Sequence, residues 1–187
     1  GDVYKRQGQK LMCGIAGFGF THSIRSEEFE ALSRRMGRAI DHRGPDSGGT
    51  WTDPFLNVAL VHKRLAILDL SAAGHQPMHS SGGRYVISFN GEIYNHLSLR
   101  RELEAAHLAP SWYGNSDTET LLAALEAWGL QPTLQRCRGM WAMAVIDRSE
   151  RQLYLARDRF GEKPLYWGVS GAGTQRALLF ASDLSLI

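Results

Sequence analysis

The sequence has little cysteine, almost no net charge and no long apolar run. Its 187 residues include two cysteines, Cys13 and Cys137, and neither lies in a C-x-x-C pair, which excludes a disulfide framework. The 21 Lys and Arg residues are scattered and nearly balanced by 19 Asp and Glu residues, so the charge favours no nucleic-acid or polyanion partner. No stretch reaches the roughly 18 apolar residues that a membrane-spanning helix needs. We therefore expect neither nucleic-acid nor membrane binding.

What is present is the composition of a globular domain. Hydrophobic residues make up 43% of the chain and charged residues 21%, which excludes disorder and collagen-like fibres. A domain usually has about 100–200 residues, so the length suits one large domain or two small ones. Because cysteine is scarce and no signal-peptide cleavage pattern is found, we expect a reducing, cytoplasmic location.

The hydrophobic pattern predicts an α+β domain, with helices clustered in the middle of the chain and antiparallel strands towards its end. Three helices are expected to begin at residues suited to capping, namely Ser26, Asn95 and Ser116. Residues 41–49 contain Gly and Pro without periodicity and are predicted to form a loop. The predicted strands are residues 13–20, 56–62, 84–89, 140–146, 152–156, 165–169 and 177–181.

Cys13 follows Met12, and this order indicates a special kind of nucleophile. If Met12 is the initiator, its removal leaves a cysteine whose thiol lies beside its own α-amino group. The pKa of an α-amine is about 8 and that of a thiol about 8.5, so transfer of the thiol proton to the amine requires little free energy. The alternative is a buried cysteine in a glycine-rich strand, and for Cys13 considered alone that alternative is favoured.

Three further positions carry groups suited to binding a polar substrate. Asn90-Gly91 supplies a side-chain amide and an unhindered backbone N–H, which are oxyanion-hole donors, although a hairpin turn is the commoner meaning of Asn-Gly. Arg64 can bind a carboxylate or be a solvated surface residue. Asp117 can bind an ammonium group or be an ordinary residue in the first turn of a helix. Each structural explanation is the stronger one when its residue is taken alone.

Two other patterns have structural explanations. Ser80-Ser-Gly-Gly83 resembles the start of a pyrophosphate-binding loop, but Arg84-Tyr85 occupies the positions where such a loop needs Asp and Ser. We therefore predict a hairpin turn. His75 and His79 are separated by Pro77, which prevents a helix from presenting both to one metal ion. We therefore predict no metal site.

Seven motifs in chain order resemble the glutamine amidotransferase domains of the N-terminal nucleophile type, and among these the domains of glutamine-hydrolysing asparagine synthetases. The match runs from Met12 almost to the end, and several motifs are four to ten residues long, which makes it specific. The motifs are Met12-Cys-Gly-Ile-Ala-Gly17, His42-Arg-Gly-Pro-Asp46, Arg64-Leu-Ala-Ile-Leu-Asp69, Gln76-Pro-Met78, Phe89-Asn-Gly-Glu-Ile-Tyr-Asn95, Ser116-Asp-Thr-Glu119 and Arg157-Asp-Arg-Phe-Gly-Glu-Lys-Pro-Leu-Tyr166.

The resemblance implies a fold and an activity. The fold is a four-layer αββα sandwich, in which two antiparallel sheets lie between helix layers. The activity is hydrolysis of L-glutamine to L-glutamate and ammonia through a thioester on Cys13, with Asn90 and Gly91 holding the oxyanion. The implied substrate contacts are Arg64 with the α-carboxylate, Asp117 and Glu92 with the α-ammonium group, and the backbone of Leu65, Ala66, Ile67 and Leu68.

The chain departs from the family pattern at both ends. Residues 1–12 precede the expected nucleophile and, if retained, would block the amine that should act as base. We expect them to be a non-native extension or a propeptide, with the glutaminase domain spanning residues 13–187. We expect the family's C-terminal synthetase domain, which would use ATP and magnesium, to lie outside this chain, and we expect no cofactor for the chain itself.

In full-length members of the family, the ammonia would feed ATP-dependent asparagine synthesis by a synthetase domain in the same chain, which is a ligase activity. Another carboxylate or sugar-acid acceptor, or a non-catalytic glutamine-binding module, stays open as an alternative, and whether the chain forms a homodimer is left open. Cys137 is expected to be an inert packing residue. Arg157-Asp158 and Arg159 are expected to order the loop before Pro164 or to face the absent domain.

Overall fold

The computed structural model describes residues 13–44, 47–64 and 74–187. These residues form nine strands and four α-helices, and a short 3₁₀ helix, Leu184–Leu186, follows the last strand. The strands are β1 (Gly14–Phe20), β2 (Ser47–Asp53), β3 (Val58–Arg64), β4 (Met78–His79), β5 (Tyr85–Ile93), β6 (Gly139–Asp147), β7 (Gln152–Arg157), β8 (Tyr166–Ala172) and β9 (Gln175–Ala181). The helices are α1 (Ser26–Ala39), α2 (His96–Ala105), α3 (Asp117–Trp128) and α4 (Leu130–Arg136).

The strands form two sheets in which every pairing is antiparallel. The first sheet has the order β2-β3-β1-β9-β8 and the second the order β4-β5-β6-β7. β1 is therefore the central strand of the first sheet, with Gly14 opposite Lys63 of β3. In the second sheet β5 and β6 pair along their whole length, from Tyr85 to Ile93 on β5.

The two sheets pack face to face through an apolar layer. Side chains alternate across a strand, so every second residue of β3 and β5 points towards the other sheet. Val58 and Leu60 of β3 form one buried cluster with Val86 of β5 and Phe180 of β9. Gly17 of β1 leaves room within this layer for the Phe180 ring of the neighbouring strand β9, since a Cβ at Gly17 would lie 2.3 Å from that ring.

Helices cover the outer face of each sheet. On the first sheet, Phe29 of α1 forms a buried cluster with Phe18 of β1 and Val61 of β3. On the second sheet, a separate cluster joins Leu99 of α2 and Leu121 of α3 to the outward-facing side chains of β5 and β6. The described residues therefore form four layers in the order α, β, β, α, which confirms the sandwich expected from the sequence.

The helix starts agree with the sequence pattern in part. α3 begins as predicted, because Ser116 Oγ accepts a hydrogen bond of 3.1 Å from the N–H of Glu119. α2 begins after Asn95, but the Asn95 side chain does not cap the helix: its Nδ2 donates to the carbonyl of Arg136, the last residue of α4, and its Oδ1 accepts from the N–H of Arg138. The prediction of Ser26 as a cap is wrong, since Ser26 already belongs to α1 and its N-cap, Arg25, makes no side-chain cap.

Seven strands agree with their predicted positions to within a few residues, β2 and β4 have no predicted counterpart, and two corrections follow. Residues 47–49 belong to β2 rather than to a loop, because β3 provides a partner along the whole strand. β5 continues to Ile93, so Asn90-Gly91 lies inside a strand and is not a hairpin turn. The turn predicted at Ser80–Gly83 does join β4 to β5. The short helix α4 has no predicted counterpart, since Pro132 in its first turn leaves little periodicity.

Candidate active site

Cys13 and Arg64 lie at the same end of the first sheet. Cys13 directly precedes β1, and Arg64 is the last residue of β3. Gly14 is opposite Lys63. Because the two strands are antiparallel, Cys13, which precedes Gly14, and Arg64, which follows Lys63, lie at the same edge. Both side chains are partly exposed. The side chain of Leu60 lies in the layer between the sheets. Because alternate residues of a strand share a face, the side chain of Arg64, four residues later, also faces the second sheet.

A buried histidine connects this end of the first sheet to β5. His62 lies opposite Ile15, and its Nε2–H donates a hydrogen bond of 3.1 Å to the carbonyl oxygen of Phe89. Cys13 is two residues before Ile15, and Asn90 is the residue after Phe89. The contact therefore places Cys13, Arg64 and Asn90 at neighbouring ends of two facing sheets.

The Asn90 side chain has an unused donor. Asn90 alternates with Val86, so its amide is on the face of β5 that looks towards the first sheet. The residue is 3% exposed, and its Nδ2 has no hydrogen-bond partner among the described residues. A buried amide N–H without a partner costs free energy comparable to a lost hydrogen bond. Such a group is suited to receive an acceptor that arrives with a ligand.

The backbone N–H of Gly91 points to the open edge of β5. Gly91 is opposite Trp141 of β6, but both backbone groups of Trp141 are used on the other side of β6. Its N–H donates to Asp158 Oδ2 at 3.1 Å, and its carbonyl accepts from the Asp158 N–H at 2.8 Å. Gly91 and Trp141 are therefore a non-hydrogen-bonded pair, and the Gly91 N–H faces away from β6.

Side chains occupy the two neighbouring N–H groups on this edge. The Phe89 N–H donates to Gln76 Oε1 at 2.6 Å, and the Ile93 N–H donates to Asp117 Oδ2 at 2.9 Å. Gly91 lies midway between them, about 7 Å from each at the usual rise of a strand. The edge of β5 therefore presents an amide oxygen, a backbone N–H and a carboxylate in a row.

The structure brings most of the predicted site residues together. Cys13 and Arg64 lie at the end of the first sheet, Asn90, Gly91 and Glu92 follow one another on β5, and Asp117 borders the end of that strand. Glu92 is exposed and Asp117 half-buried. The predicted backbone contacts at Leu65, Ala66, Ile67 and Leu68 lie outside the described residues.

The guanidinium of Arg64 packs against the backbone of Gly74. A Cβ added to Gly74 would lie 2.8 Å from Arg64 Nη2 and 3.0 Å from its Cζ. Next to Cys13, a Cβ on Gly14 would lie 3.2 Å from the side chain of Arg43. The Nε and Nη2 atoms of Arg43 are buried and have no hydrogen-bond partner among the described residues. Two positive charges therefore lie at the Cys13 end of the first sheet.

Two residues at the site have no role in the sequence prediction. Gln76 and His62 hold the N–H and the carbonyl of Phe89 respectively, and they are 8% and 1% exposed. They fix the backbone directly before Asn90. The motif Gln76-Pro-Met78 is the available signal for the first residue, while a single histidine in an apolar strand gives no signal for the second.

Burial changes the ionisation of His62 and Cys137. Desolvation lowers the pKa of His62 to about 4, so the ring is neutral at neutral pH and its Nε2 carries the proton donated to Phe89.

Burial, with a smaller effect from the Asp117 charge, raises the pKa of the Cys137 thiol to about 12. A thiol with so little thiolate is unreactive, and Cys137 packs in the core beneath the second sheet. The prediction of an inert packing residue is confirmed.

The loop after β7 is held by its own charged residues. Asp158 accepts hydrogen bonds from the backbone N–H groups of Phe160, Glu162 and Lys163 as well as Trp141. Burial alone would raise the pKa of Asp158, but these backbone donors outweigh it and hold the pKa below its usual value. Arg157 donates to the carbonyls of Lys163 and Gly161. These contacts confirm the predicted ordering of the loop before Pro164.

A groove of about 800 Å³ lies beside this loop rather than at the predicted site. It is bounded by α4, the start of β6 and the Arg157–Glu162 segment, and none of the predicted catalytic or glutamine-binding residues lines it. Within the described ranges, no three His, Cys, Asp or Glu side chains converge on a point where they could hold a metal ion.

Comparison with known proteins identifies the family. The sequence matches the glutamine amidotransferase domain over residues 12–187. The chain belongs to this family. A glutamine amidotransferase domain agrees with the two-sheet sandwich described above, and the resemblance inferred from the seven motifs is confirmed.

Three curated relatives carry longer chains that include such a domain. A putative glutamine-hydrolysing asparagine synthetase of Mycobacterium tuberculosis is 39% identical over 175 residues, covering 87% of this chain and 26% of the relative. Asparagine synthetase 1 (glutamine-hydrolysing) of Bacillus subtilis is 40% identical over 157 residues, covering 83% and 24%. Amidase chry2 of Gibberella zeae is 34% identical over 182 residues, covering 92% and 26%. The amidotransferase domain thus spans about a quarter of the length of these relatives.

None of the helices in the described ranges is both long enough and apolar enough to cross a membrane. The predicted cytoplasmic location stays a prediction.

Proposed function

We propose that this domain, once Cys13 is its first residue, hydrolyses L-glutamine to L-glutamate and ammonia. The observation that carries the proposal is the pair of donors on adjacent residues of β5. Among the residues that the structure describes, Asn90 Nδ2 is buried without a partner, and the Gly91 N–H points to the open edge of the strand. A tetrahedral oxyanion requires two such donors, and these two lie on consecutive residues.

The chemistry begins at Cys13. Its α-amine accepts the thiol proton, and the sulfur attacks the side-chain carboxamide carbon of glutamine. The carbonyl oxygen becomes an oxyanion, which Asn90 Nδ2 and the Gly91 N–H stabilise. The amine then passes its proton to the departing nitrogen, so that ammonia leaves and a thioester remains. Water, deprotonated by the same amine, attacks the thioester, and the thiol is restored as glutamate leaves.

Charged groups at the two ends of the site suit the zwitterionic end of glutamine. We propose that Arg64 binds the α-carboxylate through its guanidinium, which has the planar geometry for two parallel hydrogen bonds. Asp117 and Glu92 lie where β5 ends and would bind the α-ammonium group. The backbone of Leu65 to Leu68 would close the pocket beside Arg64.

Replacing Asn90 tests the oxyanion hole. In the chain that starts at Cys13, Asn90→Ala and the equally large Asn90→Asp should each lower kcat by about 10²–10³-fold, since one donor is lost. KM for glutamine should change little, because the donor acts mainly on the transition state. Released ammonia is the readout. Near-normal turnover of both variants would show that the oxyanion is held elsewhere.

The two cysteines provide a matched pair of variants for the nucleophile. Cys13→Ala should abolish ammonia release while glutamine binding stays largely intact. Cys137→Ala should keep kcat within a few-fold of the parent, because Cys137 is buried in the core on the outer face of the second sheet, whereas the Asn90 amide is on the face towards the first sheet. Equal loss of activity in both variants would indicate a folding defect and not a missing nucleophile.

We propose that the ammonia serves asparagine synthesis in a longer protein. The support is that two of the relatives above are named glutamine-hydrolysing asparagine synthetases and are about four times as long as this domain. ATP and magnesium would belong to the part of those proteins that this chain does not cover. The isolated domain should therefore release ammonia from glutamine but make no asparagine when aspartate, ATP and magnesium are supplied.

A further inference from the structure

A buried arginine on α2 binds the segment that leads into α3. The side chain of Arg100 is 10% exposed, whereas the next residue, Arg101, is exposed. Arg100 Nη1 donates to the Gly114 carbonyl at 3.0 Å and to Asn115 Oδ1 at 3.3 Å. The guanidinium therefore holds the two residues that come just before the N-cap of α3.

An ion pair with Glu119 of α3 connects Arg100 to residues before and after the start of that helix. Arg100 Nη2 lies 3.3 Å from Glu119 Oε2. The same carboxylate accepts the backbone N–H groups of Tyr113 at 2.6 Å and Gly114 at 3.0 Å. The carboxylate of a residue inside α3 thus fixes the backbone outside it, and Arg100 neutralises its charge.

Trp112 completes the cluster from the other side. The Arg100 guanidinium lies over its ring, 3.9 Å from the centroid, in the range of a cation–π contact. Trp112 Nε1 donates to Glu104 Oε1, one helical turn after Arg100, at 2.8 Å. Trp112, Gly114 and Asn115 are therefore tied directly to α2, and the Tyr113 backbone is held through Glu119, the ion-pair partner of Arg100.

This segment ends directly at Asp117. Ser116 caps α3 by accepting from the N–H of Glu119, and Asp117, the first residue of the helix, reaches the end of β5 through its bond to Ile93. A shift of residues 112–116 would move the start of α3 and with it the Asp117 carboxylate. A buried ion pair contributes little net stability, and its clearer effect is to fix geometry.

We infer that Arg100 is a positioning residue for substrate specificity, which through residues 112–116 sets the Asp117 carboxylate at the distance needed to bind the ammonium group of an α-amino acid. The inference rests on the proposed function. It concerns one end of the substrate and predicts no direct contact between Arg100 and glutamine.

The test compares glutamine with glutaramate, which is glutamine without its α-amino group. Equilibrium binding of both compounds is measured with the whole 187-residue chain and with Arg100→Leu and Arg100→Lys. Arg100→Leu should raise Kd for glutamine by about tenfold while Kd for glutaramate changes less than about twofold. Arg100→Lys keeps the charge but cannot form the forked contacts, so its loss of selectivity should be intermediate.

Two further variants separate the possible outcomes. Arg101→Leu, on the exposed neighbour, should leave both Kd values unchanged, and Asp117→Asn should remove the preference for glutamine. Equal weakening of both ligands by Arg100→Leu, or an unchanged preference, would overturn the inference even if Asp117→Asn behaves as expected. If Arg100→Leu fails to fold by circular dichroism, the same comparison is made with Arg100→Lys. Failure of the parent chain to bind glutamine would contradict the proposed function itself.

Discussion

At the scale of single residues, the position of the Arg64 guanidinium depends on a glycine outside its own strand. A methyl group on Gly74 would lie 2.8 Å from Arg64 Nη2, and the mobile end of the arginine is what must move. Gly74→Ala should therefore cost little stability, less than about 1 kcal/mol. It should raise KM for glutamine about tenfold with kcat nearly unchanged, because ground-state and transition-state binding weaken together. Steady-state ammonia release measures both constants.

A second glycine gives the control for this experiment. A Cβ on Gly82 would lie 2.6 Å from Glu126 Oε1, so Gly82→Ala also displaces the end of a charged side chain. Gly82 lies in the turn between β4 and β5, away from Arg64. We expect Gly82→Ala to leave KM unchanged. A similar rise of KM in both variants would mean that the effect of Gly74→Ala is not local.

The buried His62 makes the stability of the domain depend on pH. Its pKa of about 4 in the folded state lies below the ordinary value of 6.5, mainly because of desolvation. The unfolded chain therefore binds the proton first, so the stabilising contribution is complete above pH 6.5 and is lost as pH falls towards 4. A shift of this size corresponds to about 3 kcal/mol.

The variant His62→Gln isolates this contribution, since glutamine can still donate to the Phe89 carbonyl but does not titrate. Urea unfolding of both proteins should show that the parent loses up to about 3 kcal/mol more than His62→Gln between pH 6.5 and 4. Carboxyl groups titrate in the same range, and their effect is common to both proteins. Parallel stability curves for the two proteins would contradict the assignment.

The sequence predicts candidate site residues but not the contacts that surround them. Asn90-Gly91 is singled out as a candidate donor pair, and the same dipeptide also predicts a turn, because local sequence does not show that β6 pairs with it. Gln76 and His62 act on the Phe89 backbone from 13 and 27 residues away. Such long-range contacts follow from the packing of the two sheets and not from any local pattern.

At the scale of the elements, periodicity predicts those that carry a whole apolar face. α3 has both a capping serine and a continuous buried face, and it is found as predicted. β2 has the pattern of a loop, with glycines and exposed polar residues, and it becomes a strand because β3 offers a free edge. α1 starts one residue early relative to its expected cap at Ser26, a difference within the usual fraying of helix ends.

The packing of Phe180 in the layer between the sheets depends on Gly17 in the central strand β1, which lies opposite Phe180 of β9. A Cβ at Gly17 would lie 2.3 Å from both the Ala59 carbonyl oxygen and the Phe180 ring, and neither the β3 backbone nor a ring in the core can easily move. Gly17→Ala should therefore destabilise the domain by about 1–3 kcal/mol through overpacking. The next inward-facing glycine of the same strand is Gly19, where a Cβ would lie 3.9 Å from its nearest neighbour, Leu153.

Gly19→Ala is therefore the matched control for Gly17→Ala. It should change the free energy of unfolding by less than about 1 kcal/mol in urea titrations, since the methyl group fits without displacing its neighbours. Both variants carry the same chemical change on the same face of one strand. If they destabilised the domain equally, strand propensity would explain the effect and the clash with Phe180 and the β3 backbone would not.

At the scale of the whole molecule, the proposed reaction depends on the covalent state of the chain at Cys13. An α-amine is a base near neutral pH, whereas the amide nitrogen of a peptide bond is not. With residues 1–12 attached, Cys13 would keep its thiol and the donors on β5 but would have no base to accept the thiol proton. We predict that the chain starting at Gly1 hydrolyses glutamine at least about 10²-fold more slowly than the chain starting at Cys13, a typical contribution of a general base.

Mass spectrometry of each preparation must first establish which residue is N-terminal, because trimming would expose Cys13 in both. Ammonia release is then measured at saturating glutamine, alongside binding of glutamine to each form. The longer chain should still bind glutamine, since Arg64, Asn90 and Asp117 do not depend on the amine. Full activity with Gly1 still attached would show that another group accepts the thiol proton. The histidines near Cys13 would then have to be tested as the base. His62 is a poor one, because its Nε2–H is already donated to Phe89 and its pKa of about 4 leaves it a weak base.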